Sequence, residues 1–215
     1  MQKFKAVIFD LDGTLANTLP LCIHAFRLSI EPYIKRTVSD EEIIATFGPS
    51  EEGTIMSLAP DYYDNGVADY IMHYKAHHEM CPAPFDGMKE LLTQLNTKGV
   101  RLAMVTGKGK KSADISLERF GLADYFELLE TGLPQGPSKP QGIKSILQVW
   151  RDIEKHEVIY IGDAPSDITA CREAGIPIAA AAWAETAEPE KLNLLEPDHL
   201  FYNVPDFSRW ILRNT

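Results

Sequence analysis

Four stretches of this chain are apolar almost without interruption: Phe4–Asp10, Arg101–Thr106 (RLAMVT), Glu157–Asp163 (EVIYIGD) and Pro177–Trp183 (PIAAAAW). A strand with one wet face alternates apolar and polar residues. A strand that does not alternate must be covered on both faces, as in a parallel sheet. Tyr125–Glu130 is a weaker strand signal and His199–Asn203 a short one. Helical spacing lies between them. In Met88–Lys98 the apolar residues Met88, Leu91, Leu92 and Leu95 recur at three and four, and Gly99 follows as a stop. Ser112–Phe120, Gly142–Ile153 and Asp167–Ala174 read the same way, the last closed by Gly175. Strands alternating with helices predict an α/β fold, a parallel sheet flanked by helices on right-handed crossovers.

One long piece breaks the alternation. From Leu15 to Pro82 there is no buried-strand signal, and Leu19–Ile34, Asp40–Thr46, Ser50–Leu58 and Tyr63–His78 all read as helices. The expected organisation is a core of residues 1–15 and 83–215 with an all-helical cap, residues 16–82, inserted after the first strand. Open α/β sheets bind ligands beyond the carboxyl ends of their strands, so a cap is expected there. The length of 215 residues suits one domain with an insertion. A net charge of −10 argues against nucleic acid or an anionic membrane surface as partner. It leaves room for a small anionic substrate in a locally positive site. Cys22, Cys81 and Cys171 form neither a disulfide framework nor a Cys-x-x-Cys pattern. With no signal peptide and no membrane-length apolar window, a cytoplasmic monomer or homodimer is expected.

The chemistry concentrates at the strand tips. Residues 7–15 read Val-Ile-Phe-Asp-Leu-Asp-Gly-Thr-Leu, with Asp10 and Asp12 just past the first strand. Two acids this close resist ionising together, and a divalent cation is the usual remedy. A parallel sheet gathers the other tips at the same edge: Thr106-Gly107-Lys108, then Asp163 with Asp167 four residues on. Lys139 stands in a Gly-Pro-Ser-Lys-Pro loop before a helix and adds positive charge. A cation, a hydroxyl, an ammonium and backbone N–H groups are what phosphoryl oxygens require. A carboxylate can attack phosphorus, and a second can move the proton. Taken singly, each signal has a plainer explanation: a turn at Asp12-Gly13, a helix cap at Thr106, a solvated charge at Lys139. The calcium-loop reading fails, because Leu21 stands at its twelfth position. Gly107-Lys108-Gly109 is not a nucleotide phosphate loop. His73 and His77 share a helix face but lack a third zinc ligand, so they and His78 read as cap or surface histidines.

Four motifs in order, Phe-Asp-Leu-Asp-Gly-Thr-Leu (9–15), Val-Thr-Gly-Lys (105–108), Lys-Pro (139–140) and Ile-Gly-Asp-Ala-Pro-Ser-Asp-Ile (161–168), resemble the haloacid dehalogenase-like phosphohydrolases over essentially the whole chain. The insertion is similar to the small helical cap of the phosphoglycolate phosphatase-like branch. The resemblance implies a Rossmann-like core and a Mg²⁺-dependent phosphatase acting on a small phosphate ester, phosphoglycolate first. It assigns Asp10 as nucleophile and Mg²⁺ ligand, and Asp12 as acid/base that binds Mg²⁺ through its carbonyl. Thr106 and Gly107 would hold phosphoryl oxygens, and Lys139 would neutralise Asp10 and the phosphoryl group. Asp163 would ligate Mg²⁺, with Asp167 supporting it. Lys108 and the Gly48-Pro49 turn, which resembles the loop the family dips into its site, are further candidate substrate contacts. The chain departs from the family pattern at Asn17-Thr18, Gly107 and Gly142. Two other outcomes stay open: a β-phosphoglucomutase-like sugar phosphomutase, and a non-catalytic phosphate-binding protein on the same fold.

Overall fold

The computed structural model describes residues 3–215. Strand β1 (Ala6–Phe9) is followed by four helices, α1 (Leu19–Ile34), α2 (Asp40–Ile44), α3 (Glu51–Leu58) and α4 (Tyr63–Ala76). The alternating part then runs α5 (Met88–Thr97), β2 (Arg101–Val105), α6 (Lys110–Phe120), β3 (Leu128–Glu130), α7 (Lys139–Val149), β4 (Val158–Gly162) and α8 (Pro165–Ala174). It closes with β5 (Ile178–Ala181), α9 (Pro189–Leu194), β6 (His199–Phe201) and α10 (Val204–Arg213). The strands form one sheet in the order β3-β2-β1-β4-β5-β6, every neighbouring pair parallel. This is the α/β Rossmann-like fold expected.

The sheet is buried on both faces, as the unbroken apolar runs require. Val7, Phe9, Leu102, Met104, Ile159 and Ile161 pack on one side against α5, α6 and α10. Ala6, Ile8, Ala103, Val105, Val158 and Tyr160 pack on the other against α7 and α8. The order of the strands reverses about β1, which pairs with both β2 and β4. Phe9 is in register with Met104 on one side and Ile161 on the other. The chain therefore leaves β1, β2 and β4 at one edge, the crevice where such sheets take ligands.

The four helices after β1 have their own apolar cluster, including Leu21, Phe26, Ile30, Ile43, Ile55, Tyr70 and Tyr74. They lean on α6 through a polar seam. The Tyr74 hydroxyl lies 2.7 Å from Ser116 Oγ, and His78 Nε2 lies 3.0 Å from the same atom. His78 is thus a buried seam residue, between the Tyr74 and Phe120 rings, and not a surface one. His73 and His77 remain on α4 and just past it, with His24 edge-to-face against His77. No helix among the described residues is long and apolar enough to cross a membrane.

Several boundaries differ from those the sequence predicts. Helix α7 begins at Lys139, not Gly142, and ends at Val149, not Ile153. Lys139 is therefore a first-turn helical residue and not a loop residue. Pro140 causes no break, because the first-turn N–H groups have no partner within the helix to lose. Helices α9 and α10 were not expected at all. Asn203 starts α10 by accepting the Asp206 N–H at 2.8 Å, and Val204, Phe207 and Ile211 form its buried stripe.

Candidate active site at the carboxyl edge of the sheet

Asp10 is the first residue past β1. Its N–H donates to Ile161 O at 2.9 Å, which ties it to β4. One carboxyl oxygen accepts the Leu11 N–H at 2.6 Å, and the other accepts Lys139 Nζ at 2.5 Å. Asp10 is 4% exposed. Burial pushes its pKa up to about 6; Lys139 opposes the rise, while Asp167 and Asp12 add to it.

Lys139 reaches the site from the first turn of α7, and its ammonium also donates to Asp167 Oδ1 at 2.5 Å. Burial works against the lysine charge, but Asp10 and Asp167 outweigh it, so Lys139 stays protonated. Asp167 is fully buried in the first turn of α8. It accepts the Ala164 N–H at 2.9 Å and has the Tyr160 hydroxyl at 3.0 Å. It therefore caps α8 and anchors Lys139 at once.

Asp163, just past β4, is the least satisfied of these acids. Among the described residues it receives a single long hydrogen bond, from Thr14 Oγ1 at 3.4 Å. Burial, Asp10 and Asp167 push its pKa well above the carboxyl range. The turn after Asp12 must pass very close to it. A Cβ on Gly13 would lie 2.0 Å from Asp163 Oδ2, and Gly13 has a φ of +72°. Only glycine meets both conditions.

Ligand oxygens of Asp10, Asp163 and Asp167 lie within 4.8 Å of one another. The donor set suits a hard divalent cation: carboxylate oxygens only, one of them poorly partnered, with pKa values raised by burial first and by neighbouring carboxylates after it. Asp12 is not brought into this cluster. Its Oδ1 accepts the Thr18 hydroxyl at the start of α1 and lies 3.2 Å from Lys108 Nζ.

Thr106 and Gly107 follow β2 at the same edge. Thr106 is buried, its N–H donates to Glu130 O at 3.0 Å, and its hydroxyl accepts the Lys108 N–H at 3.2 Å. A Cβ on Gly107 would lie 3.9 Å from Lys139 Cε and 3.9 Å from Gly48 O. Gly107 is thus the meeting point of the core lysine and the Gly48-Pro49 turn of the insertion. The Ser50 N–H, donating to Leu133 O at 3.0 Å, holds that turn against the loop before α7.

Lys108 is buried. Its ammonium sits 3.0 Å from Cys22 Sγ and 4.5 Å from the centre of the Tyr74 ring, as well as beside Asp12. Burial opposes its charge and Asp12 favours it, with the net direction upward.

Sequence reasoning missed Thr18, Cys22 and Glu51. Thr18 stands six residues after Asp12, and the departure at Asn17-Thr18 was its one visible signal. Glu51 is a buried carboxyl on α3 that accepts the Gly109 N–H at 2.6 Å and the Ser112 hydroxyl at 2.7 Å. The insertion thereby caps the first turn of α6.

Residues 7–181 match the model of the haloacid dehalogenase-like hydrolase family. The pyrophosphatase PpaX of Halalkalibacterium halodurans is 29% identical over 207 residues, 95% of each chain. PpaX of Listeria monocytogenes is 31% identical over 208 residues, covering 95% of this chain and 94% of the relative. Among solved structures, SP0104 of Streptococcus pneumoniae, a haloacid dehalogenase-like family hydrolase, superposes with a TM-score of 0.77 at 25% identity, covering 96% of this chain and 98% of that one. With the family model spanning four-fifths of its length, the chain belongs to the haloacid dehalogenase-like hydrolases and is a hydrolytic enzyme.

Proposed function

We propose that this protein is a Mg²⁺-dependent phosphatase that hydrolyses a small phosphate compound through an aspartyl-phosphate on Asp10. The observation that carries the reading is Lys139 donating at 2.5 Å to both Asp10 and Asp167, beside Asp163 at the carboxyl edge of the sheet. A nucleophilic carboxylate must be ionised, although burial pushes the pKa of Asp10 up to about 6. Lys139 favours the ionised form. Asp10 and Asp163, with Asp167 close by and the Asp12 carbonyl, are the groups that would hold Mg²⁺. When bound, the ion would supply positive charge to Asp10 and to the phosphoryl oxygens.

The chain's own residues account for the rest. The Thr106 hydroxyl and the Gly107 N–H donate to phosphoryl oxygens as charge shifts onto them. An Asp10 oxygen forms the bond to phosphorus while the bond to the leaving oxygen breaks, and Asp12 gives that oxygen its proton. Asp12 then takes a proton from the water that attacks the acyl phosphate, which restores Asp10 and releases inorganic phosphate. The four-helix insertion, residues 16–82, acts in this reading as a cap whose Gly48-Pro49 turn meets Gly107. Phosphoglycolate fits the branch resemblance, and pyrophosphate is what the PpaX relatives are named for.

The test is Asp10→Asn with p-nitrophenyl phosphate and Mg²⁺. A fall in kcat of at least about a thousandfold, with an unchanged circular dichroism spectrum, is expected. Activity within tenfold of the wild type would overturn the reading. Release of phosphate from a sugar 1-phosphate, without the 6-phosphate isomer, separates hydrolysis from mutase chemistry.

A further inference from the structure

We infer that His24, His73 and His77 form a second cation site, within the helical insertion and apart from the carboxylate cluster, that takes a late first-row transition metal such as Zn²⁺. The inference does not depend on the phosphatase reading.

His73 and His77 stand four apart, so they share a face at the end of α4. Along the sequence this pair lacks a third ligand. The fold supplies one from α1. His24 packs edge-to-face on His77 with ring centres 4.8 Å apart, and the centres of His73 and His77 are 5.8 Å apart. Imidazoles that share a tetrahedral Zn²⁺, each nitrogen about 2 Å from the ion, have ring centres about 5 Å apart. His24 titrates below the ordinary imidazole value through burial first, then through His77, His73 and Arg27. All three rings are therefore within electrostatic reach of one another. Three of the six histidines of the chain meet at this point.

One ring is already set for the task. His77 Nδ1 lies 3.0 Å from His73 O. A carbonyl oxygen only accepts, so Nδ1 carries the proton and Nε2 keeps its lone pair. Histidines that bind metals are commonly fixed by such a bond from the other nitrogen. His78 takes no part, because its Nε2 is engaged by Ser116 Oγ. Arg27, on α1 beside His24, is tied to the Asp40 carboxylate and the Val38 carbonyl. The imidazole nitrogens do not converge as closely as the carboxylate oxygens at the sheet edge. Bringing them onto one ion takes rotation about the side-chain torsions.

The donor type selects the metal. Imidazole suits Zn²⁺, Ni²⁺ and Cu²⁺, whereas Mg²⁺ takes oxygen. Three imidazoles leave a fourth position for water. An ion held here would tie α1 to α4, the two helices that bring Cys22 and Tyr74 to Lys108.

The test is calorimetric titration of Zn²⁺ into the full chain with Mg²⁺ in excess. The wild type is expected to bind one Zn²⁺, and Asp163→Asn to bind it with the same affinity, since the carboxylate cluster is not the site. His24→Ala and His77→Ala are each expected to weaken binding by at least about tenfold, the least that losing even an outer partner of a ligand costs. Zn²⁺ should raise the Tm of the wild type by mass action and leave that of the double variant unmoved. A wild-type measurement needs no variant to fold: Zn²⁺ should protect His24, His73 and His77 together from diethyl pyrocarbonate, read by peptide mass spectrometry. Affinity unchanged in both histidine variants would mean an adventitious ion only and would overturn the inference. Loss of the Zn²⁺ in Asp163→Asn, or modification of the three histidines at the same rate with and without Zn²⁺, would overturn it as well.

Discussion

Replacing Glu51 by Ala tests how the helical insertion is fastened to the core. Glu51 comes from α3, yet its carboxyl occupies the first turn of α6, where a helix has N–H groups without internal partners. Alanine leaves the Gly109 N–H and the Ser112 hydroxyl without Glu51 and removes an acid from the positive end of the helix. Each hydrogen bond to a charged acceptor contributes about 1.5–3 kcal/mol, and two bonds to one carboxyl do not add fully, so the loss is about 2–4 kcal/mol. For a chain of this size that is a Tm drop of about 4–16 °C. Thermal unfolding followed by circular dichroism reads it directly. Glu51→Ala and Ser112→Ala together should cost less than the sum of the two by about 1 kcal/mol, since they share one bond. Gly109→Ala offers an independent route, because its Cβ would lie 2.7 Å from Glu51 Oε1 and push the carboxyl out. A Glu51→Ala Tm within 2 °C of the wild type, or strict additivity with Ser112→Ala, would refute the capping role.

Asp10 titrates high, at about 6 against an ordinary 3.8, so its share of stability is present below about pH 4 and is lost as pH rises through 6. In chelator, urea denaturation should therefore show Asp10→Asn gaining on the wild type between pH 4.5 and 7.5, by up to about 3 kcal/mol at about 1.4 kcal/mol per pKa unit. A pH-independent difference would contradict that sign. Lys139→Met leaves Asp10 and Asp167 buried without their shared cation; a loss of about 3–5 kcal/mol and of nearly all phosphatase turnover is expected. Gly13→Ala forces a left-handed backbone and a collision with Asp163, so Tm and Mg²⁺-dependent activity should fall together. Saturating Mg²⁺ should raise the wild-type Tm by mass action, by about 2.7 kcal/mol of stability at one hundred times Kd, and should raise Asp163→Asn far less.

The strands were legible because continuous apolar runs have few other ways to be buried, and β1, β2 and β4 lie within the expected stretches. The errors at the start of α7 and at α9 and α10 share one cause. Each has proline in its first turn, Pro140, Pro189 and Pro205, and proline reads along a sequence as a breaker. In the first turn it breaks nothing. The stripe of Val204, Phe207 and Ile211 behind Asn203 was readable as a capped helix, and the proline masked it. Within the site, Asp10, Lys139, Asp163 and Asp167 could be listed in advance because they recur at strand and helix ends in a fixed order. The partners of Lys108 could not. Cys22 and Tyr74 come from α1 and α4, and their meeting with a lysine past β2 depends on how the insertion docks. Glu51 is separated from Gly109 by 58 residues and belongs to no local pattern.

Under the phosphatase reading, the charges of the site favour one divalent cation as their complement. With all four carboxyls ionised, Asp10, Asp12, Asp163 and Asp167 would outnumber Lys108 and Lys139 by two charges. They are not spread evenly. Asp12 has Lys108, Asp10 and Asp167 share Lys139, and Asp163 has a 3.4 Å hydroxyl contact. The deficit is therefore concentrated where the oxygens of Asp10, Asp163 and Asp167 converge within 4.8 Å. A divalent ion held there would neutralise the set, and a monovalent one would leave a buried anion. The two lysines then divide the remaining work. Lys139 stays with Asp10, since Asp167 holds it from behind. Lys108 is held by a different set, Asp12, Cys22 Sγ and the Tyr74 ring, so the two cations serve separate carboxylates.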